Sequence, residues 1–259
     1  MMIPDDDHAR LTRAKAYPFA PPGESYLFRG GRVLPLPSGD IARAVAGRIP
    51  VLASGSNASP AQLARKYAAQ GEDVVIPVTR ADVGDFDSVY NAHIAAYGSV
   101  PATLFPSPGT VLATFITWLD DDQLAVMHAT EQPGVNYHYA ELSGIDVEVR
   151  GAGRLGSAFA YISVAGCLLR DGAPVALAEV PARGRIFPAL HQPEILAHVR
   201  DVLAPAADLD AFILESVADA VAREARGRSL AARARAFDHP GFRKIPVRSG
   251  PVRSQATSR

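Results

Sequence analysis

Ile49-Pro50-Val51-Leu52-Ala53-Ser54-Gly55-Ser56-Asn57-Ala58-Ser59-Pro60 reads as a short buried strand, a tight polar turn and a helix start. Val51, Leu52 and Ala53 make the apolar run. Gly55 permits backbone angles that other residues avoid. Ser59 suits an N-cap and Pro60 the first helical position; Gln62, three residues after Ser59, predicts a capping box. Asn57 and the N–H groups around Gly55 and Ser56 then lie just ahead of a helix. Unpaired N–H groups there, with the positive end of the helix dipole, suit a carboxylate or a phosphate. Taken alone, the stretch is as well explained by a capped turn with no ligand. It excludes two other chemistries. No Gly-Lys-Ser/Thr follows, so it is not a Walker loop, and neither Ser54 nor Ser56 has the flanking glycines of a nucleophile elbow.

Outward from this turn, composition narrows the classes. The 259 residues fit one large domain, or one domain with extensions. A net charge of −1 predicts no bulk attraction to nucleic acid or to an anionic membrane. Cys167 is the single cysteine, which excludes an internal disulfide and a cysteine-based metal site; between Gly166 and Leu168 it reads as a small buried filler. His191 and His198 lack an i,i+4 histidine partner, and there is no His-Glu-x-x-His, so no metal is expected. No apolar run approaches the ~18 residues of a membrane span. The acidic start Met1–Asp7 lacks a signal-type apolar core. A cytoplasmic protein is the expectation.

Residues 1–47 read as an extended arm packed on the main domain, with Tyr26–Phe28 pairing Arg32–Leu34 around Gly30-Gly31 and a turn or two of helix over Ile41–Ala46. The main domain spans 48–237. Its first helix runs from Pro60 to Gln70, stopped by Gly71. Strands follow at Val74–Val78 (Pro77 marking an edge or a bulge) and at Phe86–Tyr90. A short strand lies within Tyr97–Gly109 between Gly/Pro turns, and Thr110–Trp118 is β-rich. Asp120, with Gln123 three residues on, caps a helix that ends near Thr130-Glu131. Tyr137–Val149 is a strand with a bulge at Gly144, Ala158–Val164 another, and Asp171-Gly172 turns a hairpin within Leu168–Val175. The last third is helical: Pro193–Leu203, then Asp208 to Gly227, then Ser229 to Phe237. Residues 238–259 read as a basic flexible tail carrying Arg243, Lys244, Arg248, Arg253 and Arg259. Many short strands with a few flanking helices argue for a mixed α+β domain on a curled sheet, not a doubly wound one.

The order of several of these segments resembles the γ-glutamylcyclotransferase-like family. The segments are Gly55-Ser56-Asn57, the Ser59-Pro60 helix start, Pro101–Gly109, the strand to Trp118, and Leu124-x-x-Met127-His128-x-x-Glu131. The resemblance covers roughly residues 48 to 225 and is clearest in 51–67 and 97–142. It implies a small mixed β-barrel with flanking helices. It also implies cyclisation of a small γ-glutamyl compound to 5-oxoproline with release of an amine, without metal or cofactor. It places the catalytic carboxylate at Glu131 as general acid/base. Ser54, Gly55, Ser56 and Asn57 fall on the substrate-binding turn, and Tyr137 falls on a tyrosine lining the pocket.

Five positions depart from the family pattern: Ser54 stands where the family has a tyrosine, Ala58 follows Asn57, Met127-His128 stand where it has Leu-Asp, and Gln132 where it has Gly. His128, three residues before Glu131, is placed to face it across one helical turn or to sit on the apolar face. These departures keep a second reading open, a catalytically inactive small-molecule-binding or protein-interaction module on the same fold.

Overall fold

A computed structural model describes residues 5–247. Five strands close into a ring: β3 (Ile49–Ala53), β4 (Val75–Tyr90), β5 (Ala102–Leu119), β6 (Tyr137–Val149) and β7 (Gly153–Ser163). The order around it is β5-β3-β7-β6-β4 and back to β5. The β3–β7 pair is parallel and the other pairs are antiparallel, so the barrel is mixed. Outside the ring, β1 (Tyr26–Arg29) and β2 (Arg32–Pro35) extend the sheet from β4. Among the described residues seven α-helices flank it: α1 (Asp5–Lys15), α2 (Ser38–Val45), α3 (Pro60–Lys66), α4 (Asp121–Glu131), α5 (Gln192–Leu203), α6 (Leu209–Ala218) and α7 (Ala220–Ala231). This is the mixed α+β domain on a curled sheet that the strand pattern predicts, closed into the barrel that the resemblance implies. No helix among the described residues is long and apolar enough to cross a membrane.

Strand alternation explains why helices cover the ring. Leu52, Ile116, Ala140, Ala160 and Ile162 point into one apolar cluster. Their neighbours Val51, Ala53, Phe115, Tyr139 and Tyr161 point into a second, which Leu63 of α3 and Leu124 and Met127 of α4 close. Both faces of β3 and β5 are therefore buried, and α3 and α4 meet over one of them.

The structure corrects several local expectations. Val74–Val78 and Phe86–Tyr90 are parts of one strand, β4, whose register shifts between Gly84 and Phe86. Asp85 takes φ +60° at that bulge, so a single strand bends where the sequence suggests a break. Pro77 is not at an edge; it lies opposite Leu27. The Pro101–Gly109 segment is the first half of β5, because its partner β4 holds it extended through Pro106. Gly227 does not end a helix. The break falls at Asp219, whose carboxylate accepts from the Val221 and Ala222 N–H groups and starts α7.

The two ends differ from expectation most. The N-terminal segment is a helix that docks rather than an extended arm: Leu11, Ala14 and Tyr17 are buried, and Lys15 pairs with Asp210 of α6. Gly98 makes room for this docking. A Cβ there meets Val217, Ile213 and Ala14 at 3.0 to 3.3 Å. At the other end, Phe242–Lys244 forms a strand on β6, so residues 238–247 are not a free tail. Arg248, Arg253 and Arg259 lie outside the described residues.

Candidate functional site

The turn after β3 is held open by its neighbours. Thr114 Oγ1 donates to the Ala53 carbonyl at 2.6 Å, and Thr117 Oγ1 donates to the Asn57 carbonyl at 3.2 Å. Ser88 Oγ donates to the Ser54 carbonyl. Ser56–Ala58 is a single 3₁₀ turn, closed by the Ser59 N–H on the Ser56 carbonyl at 2.9 Å. The capping box expected of Ser59 and Gln62 does not form. Ser59 makes no side-chain cap, and Gln62 Oε1 accepts instead from Arg65 at 3.0 Å. α3 is only seven residues long, so the turn and the Asn57 side chain, not a helix dipole, shape the polarity here.

The second half of the site comes from α4. Asp120 and Gln123 form the expected capping box at its start. Its end is set by Gln132, whose N–H reaches the His128 carbonyl while its own φ is +52°. That left-handed conformation is the one glycine adopts most readily. Gln132 thus occupies a glycine-like position and still ends the helix there. Glu131, in the last turn, is directed at Asn57. Asn57 Nδ2 donates to Glu131 Oε1 at 3.1 Å, and the Lys66 ammonium pairs with the same oxygen. The side chains are 12% (Glu131) and 5% (Lys66) exposed, so this is a nearly buried pair. Oε2 of Glu131 receives no hydrogen bond among the described residues. Asn57 Oδ1 is buried and has no hydrogen-bond partner among the described residues.

These groups line one cavity of about 380 Å³, which brings together Ser54, Gly55, Ser56, Asn57, Glu131 and Tyr137. Tyr17, Tyr97 and Tyr161 also face it. Burial is the largest cause holding the Tyr17, Tyr137 and Tyr161 phenols protonated far above neutral pH, and the Glu131 charge adds to it. The Tyr97 phenol is pushed up to about 12, first by burial and then by Glu131. The cavity therefore sets one carboxylate among neutral hydroxyl donors. His93, also in the wall, is pushed down to about 4 by burial and then by Arg223, so it is neutral at pH 7.

His128 does not face Glu131. Its Nδ1 lies 2.7 Å from the Tyr161 hydroxyl, and its ring meets Tyr139 edge-on at 4.6 Å between centroids. Burial lowers its pKa. It belongs to the aromatic layer behind the cavity wall and touches the cavity only through Tyr161. Cys167 is fully buried, with its thiol pushed up to about 11 chiefly by burial.

Sequence reasoning missed Tyr17, Arg13, Arg65 and Lys66. Tyr17 comes from the segment after α1 and lies against Gly55 in the cavity wall. The Ala102 N–H donates to its hydroxyl at 2.8 Å, and Tyr137 donates to the carbonyl of the same Ala102 at 3.4 Å. Gly55 is required by that ring: a Cβ on it lies 1.9 Å from the Tyr17 hydroxyl oxygen and 3.0 Å from its Cζ. Gly55→Ala is therefore expected to destabilise the chain by about 1–3 kcal/mol through overpacking. In a Tyr17→Phe background the same change costs less, and thermal melts of the four-member cycle measure the difference. Equal costs in both backgrounds would show that Tyr17 does not sit there.

No family model matches the chain, and no curated protein matches it. Solved structures do align with it, among them these two. One, described as "Gamma-glutamyl cyclotransferase", aligns with a TM-score of 0.36 and 10% identity, covering 75% of this chain and 92% of that chain. The other is an ensemble refinement of the uncharacterized protein loc79017 from Homo sapiens, with a TM-score of 0.36, 11% identity and the same two coverages.

Proposed function

We propose that this chain cyclises a small γ-glutamyl compound to 5-oxoproline and releases an amine. The observation that carries the reading is Glu131: a carboxylate on the cavity wall, anchored through Oε1 to Asn57 and Lys66, with Oε2 left for a ligand.

The step balances without a cofactor. The substrate α-amine attacks its own side-chain amide carbonyl, so a new C–N bond closes the five-membered ring. Glu131 takes the proton the amine loses. The tetrahedral centre then collapses, the original amide C–N bond breaks, and Glu131 returns the proton to the leaving nitrogen. General acid–base transfer of this kind is worth ~10²–10⁴-fold. Because the attack is intramolecular, the enzyme's larger task is to hold the reactive rotamer, which a confined cavity with several fixed donors suits. The neutral Tyr17 and Tyr97 phenols and the second N–H of the Asn57 amide are donors suited to the carbonyl and carboxylate oxygens of the glutamyl part.

The Lys66 ion pair favours one rival reading, a small-molecule-binding module without turnover, since it ties up half of the carboxylate. The experiment separates the two. Purified chain is incubated with a panel of γ-glutamyl amines and dipeptides, and 5-oxoproline is followed by chromatography. Product above a Glu131→Gln control supports the enzyme. Saturable calorimetric binding with no product supports the module, and neither result removes both.

A further inference from the structure

Two cations at the cavity mouth have no role in the step just described. Arg13, from α1, and Arg65, from α3, both line the cavity. The Arg13 guanidinium lies over the Tyr97 ring at 4.8 Å, and that of Arg65 lies over the Phe19 ring at 4.8 Å. The two rings are themselves 5.9 Å apart, so the cations are held on adjoining aromatic plates. Among the described residues neither guanidinium is within 4.0 Å of a carboxylate, whereas the nearby Arg10 and Lys15 are both paired. The Arg65 guanidinium is held below its ordinary pKa, first by burial and then by the neighbouring Arg13 charge.

Two like charges set side by side on flat supports, facing a cavity and lacking a counter-ion, suit an oxyanion. Glu131, from the end of α4, and Asn57, from the turn after β3, carry the chemistry of the glutamyl end. We infer that Arg13 and Arg65 form a second, anion-binding subsite that selects ligands whose far end, beyond the scissile amide, carries a carboxylate or phosphate group. The docked N-terminal helix is then a specificity element of the site and not a cover behind it.

This inference rests on the proposed function for the identity of the near end, but not for the anion. Calorimetric affinities on the full chain carrying Glu131→Gln, which prevents turnover, compare three compounds. γ-Glutamylglycine carries the far carboxylate, the 2-phosphoethyl amide carries a phosphate, and γ-glutamylmethylamide carries neither. One or both anionic compounds bind about tenfold tighter than the methylamide, and the tighter of the two identifies the group. With Arg13→Gln and Arg65→Gln added, that preference falls to within about twofold of unity while methylamide binding holds. Arg13→Lys with Arg65→Lys retains part of it, which a purely structural role for α1 does not predict. An undiminished preference in the Gln variant overturns the subsite. If no γ-glutamyl compound binds at all, the functional reading fails, and citrate at low salt tests the subsite alone. Citrate binding that the Gln pair abolishes upholds the subsite; no citrate binding overturns it.

Discussion

Glu131→Gln is expected to lower kcat for γ-glutamyl cyclisation by ~10²–10⁴-fold while leaving substrate affinity within severalfold of wild type. The two effects separate because of how the side chain is held. A glutamine carbonyl oxygen in place of Oε1 still accepts from Asn57 Nδ2 and from the Lys66 ammonium, so the wall keeps its shape. What disappears is the ability to take a proton from the α-amine and return it to the leaving nitrogen. Steady-state kinetics over the substrate range, checked by a thermal melt, read both quantities. A variant with unchanged kcat rules out Glu131 as the acid/base. A variant that fails to bind substrate would instead make Glu131 a recognition group.

Legibility in the sequence followed the distance over which each contact is made. The Asp120–Gln123 capping box and the Asp171-Gly172 hairpin are local, and both form as read. The barrel was legible as strand-rich segments, but β4 and β5 were each cut in two. Their Gly and Pro residues look like stops until a partner strand holds them extended. The Asn57–Glu131 contact joins residues 74 apart, and no periodicity announces it; only the resemblance of ordered motifs suggested that the two belong together. Tyr17 reaches Ala102 across 85 residues from just after a helix whose buried positions are few, Leu11 and Ala14 among them. So short an apolar stripe does not distinguish a docked helix from an exposed arm. Arg13 and Arg65 were invisible for a related reason: a lone arginine on a helix is solvated in most contexts, and only the fold reveals that two share one cavity.

Lys66→Met is expected to destabilise the chain by breaking the nearly buried ion pair of the site. It leaves the Glu131 carboxylate, 12% exposed, with a single neutral donor in Asn57. Breaking one side of a nearly buried ion pair costs about 3–5 kcal/mol, because the remaining charge has lost both its solvent and its counter-ion. For a chain of this size that corresponds to a fall in Tm of roughly 10 °C. The double variant Lys66→Met, Glu131→Gln removes both charges. Met sits beside Met127, whose Sδ already lies 3.3 Å from Lys66 Nζ, so an apolar chain has a partner there. The double variant is therefore expected to recover most of the lost stability while remaining inactive. That pattern would assign Lys66 to neutralising a carboxylate that catalysis requires, at no net benefit to the fold. If the single variant melts within about 2 °C of wild type, cavity water solvates Glu131. The ion pair would then be a resting arrangement that an incoming substrate amine displaces.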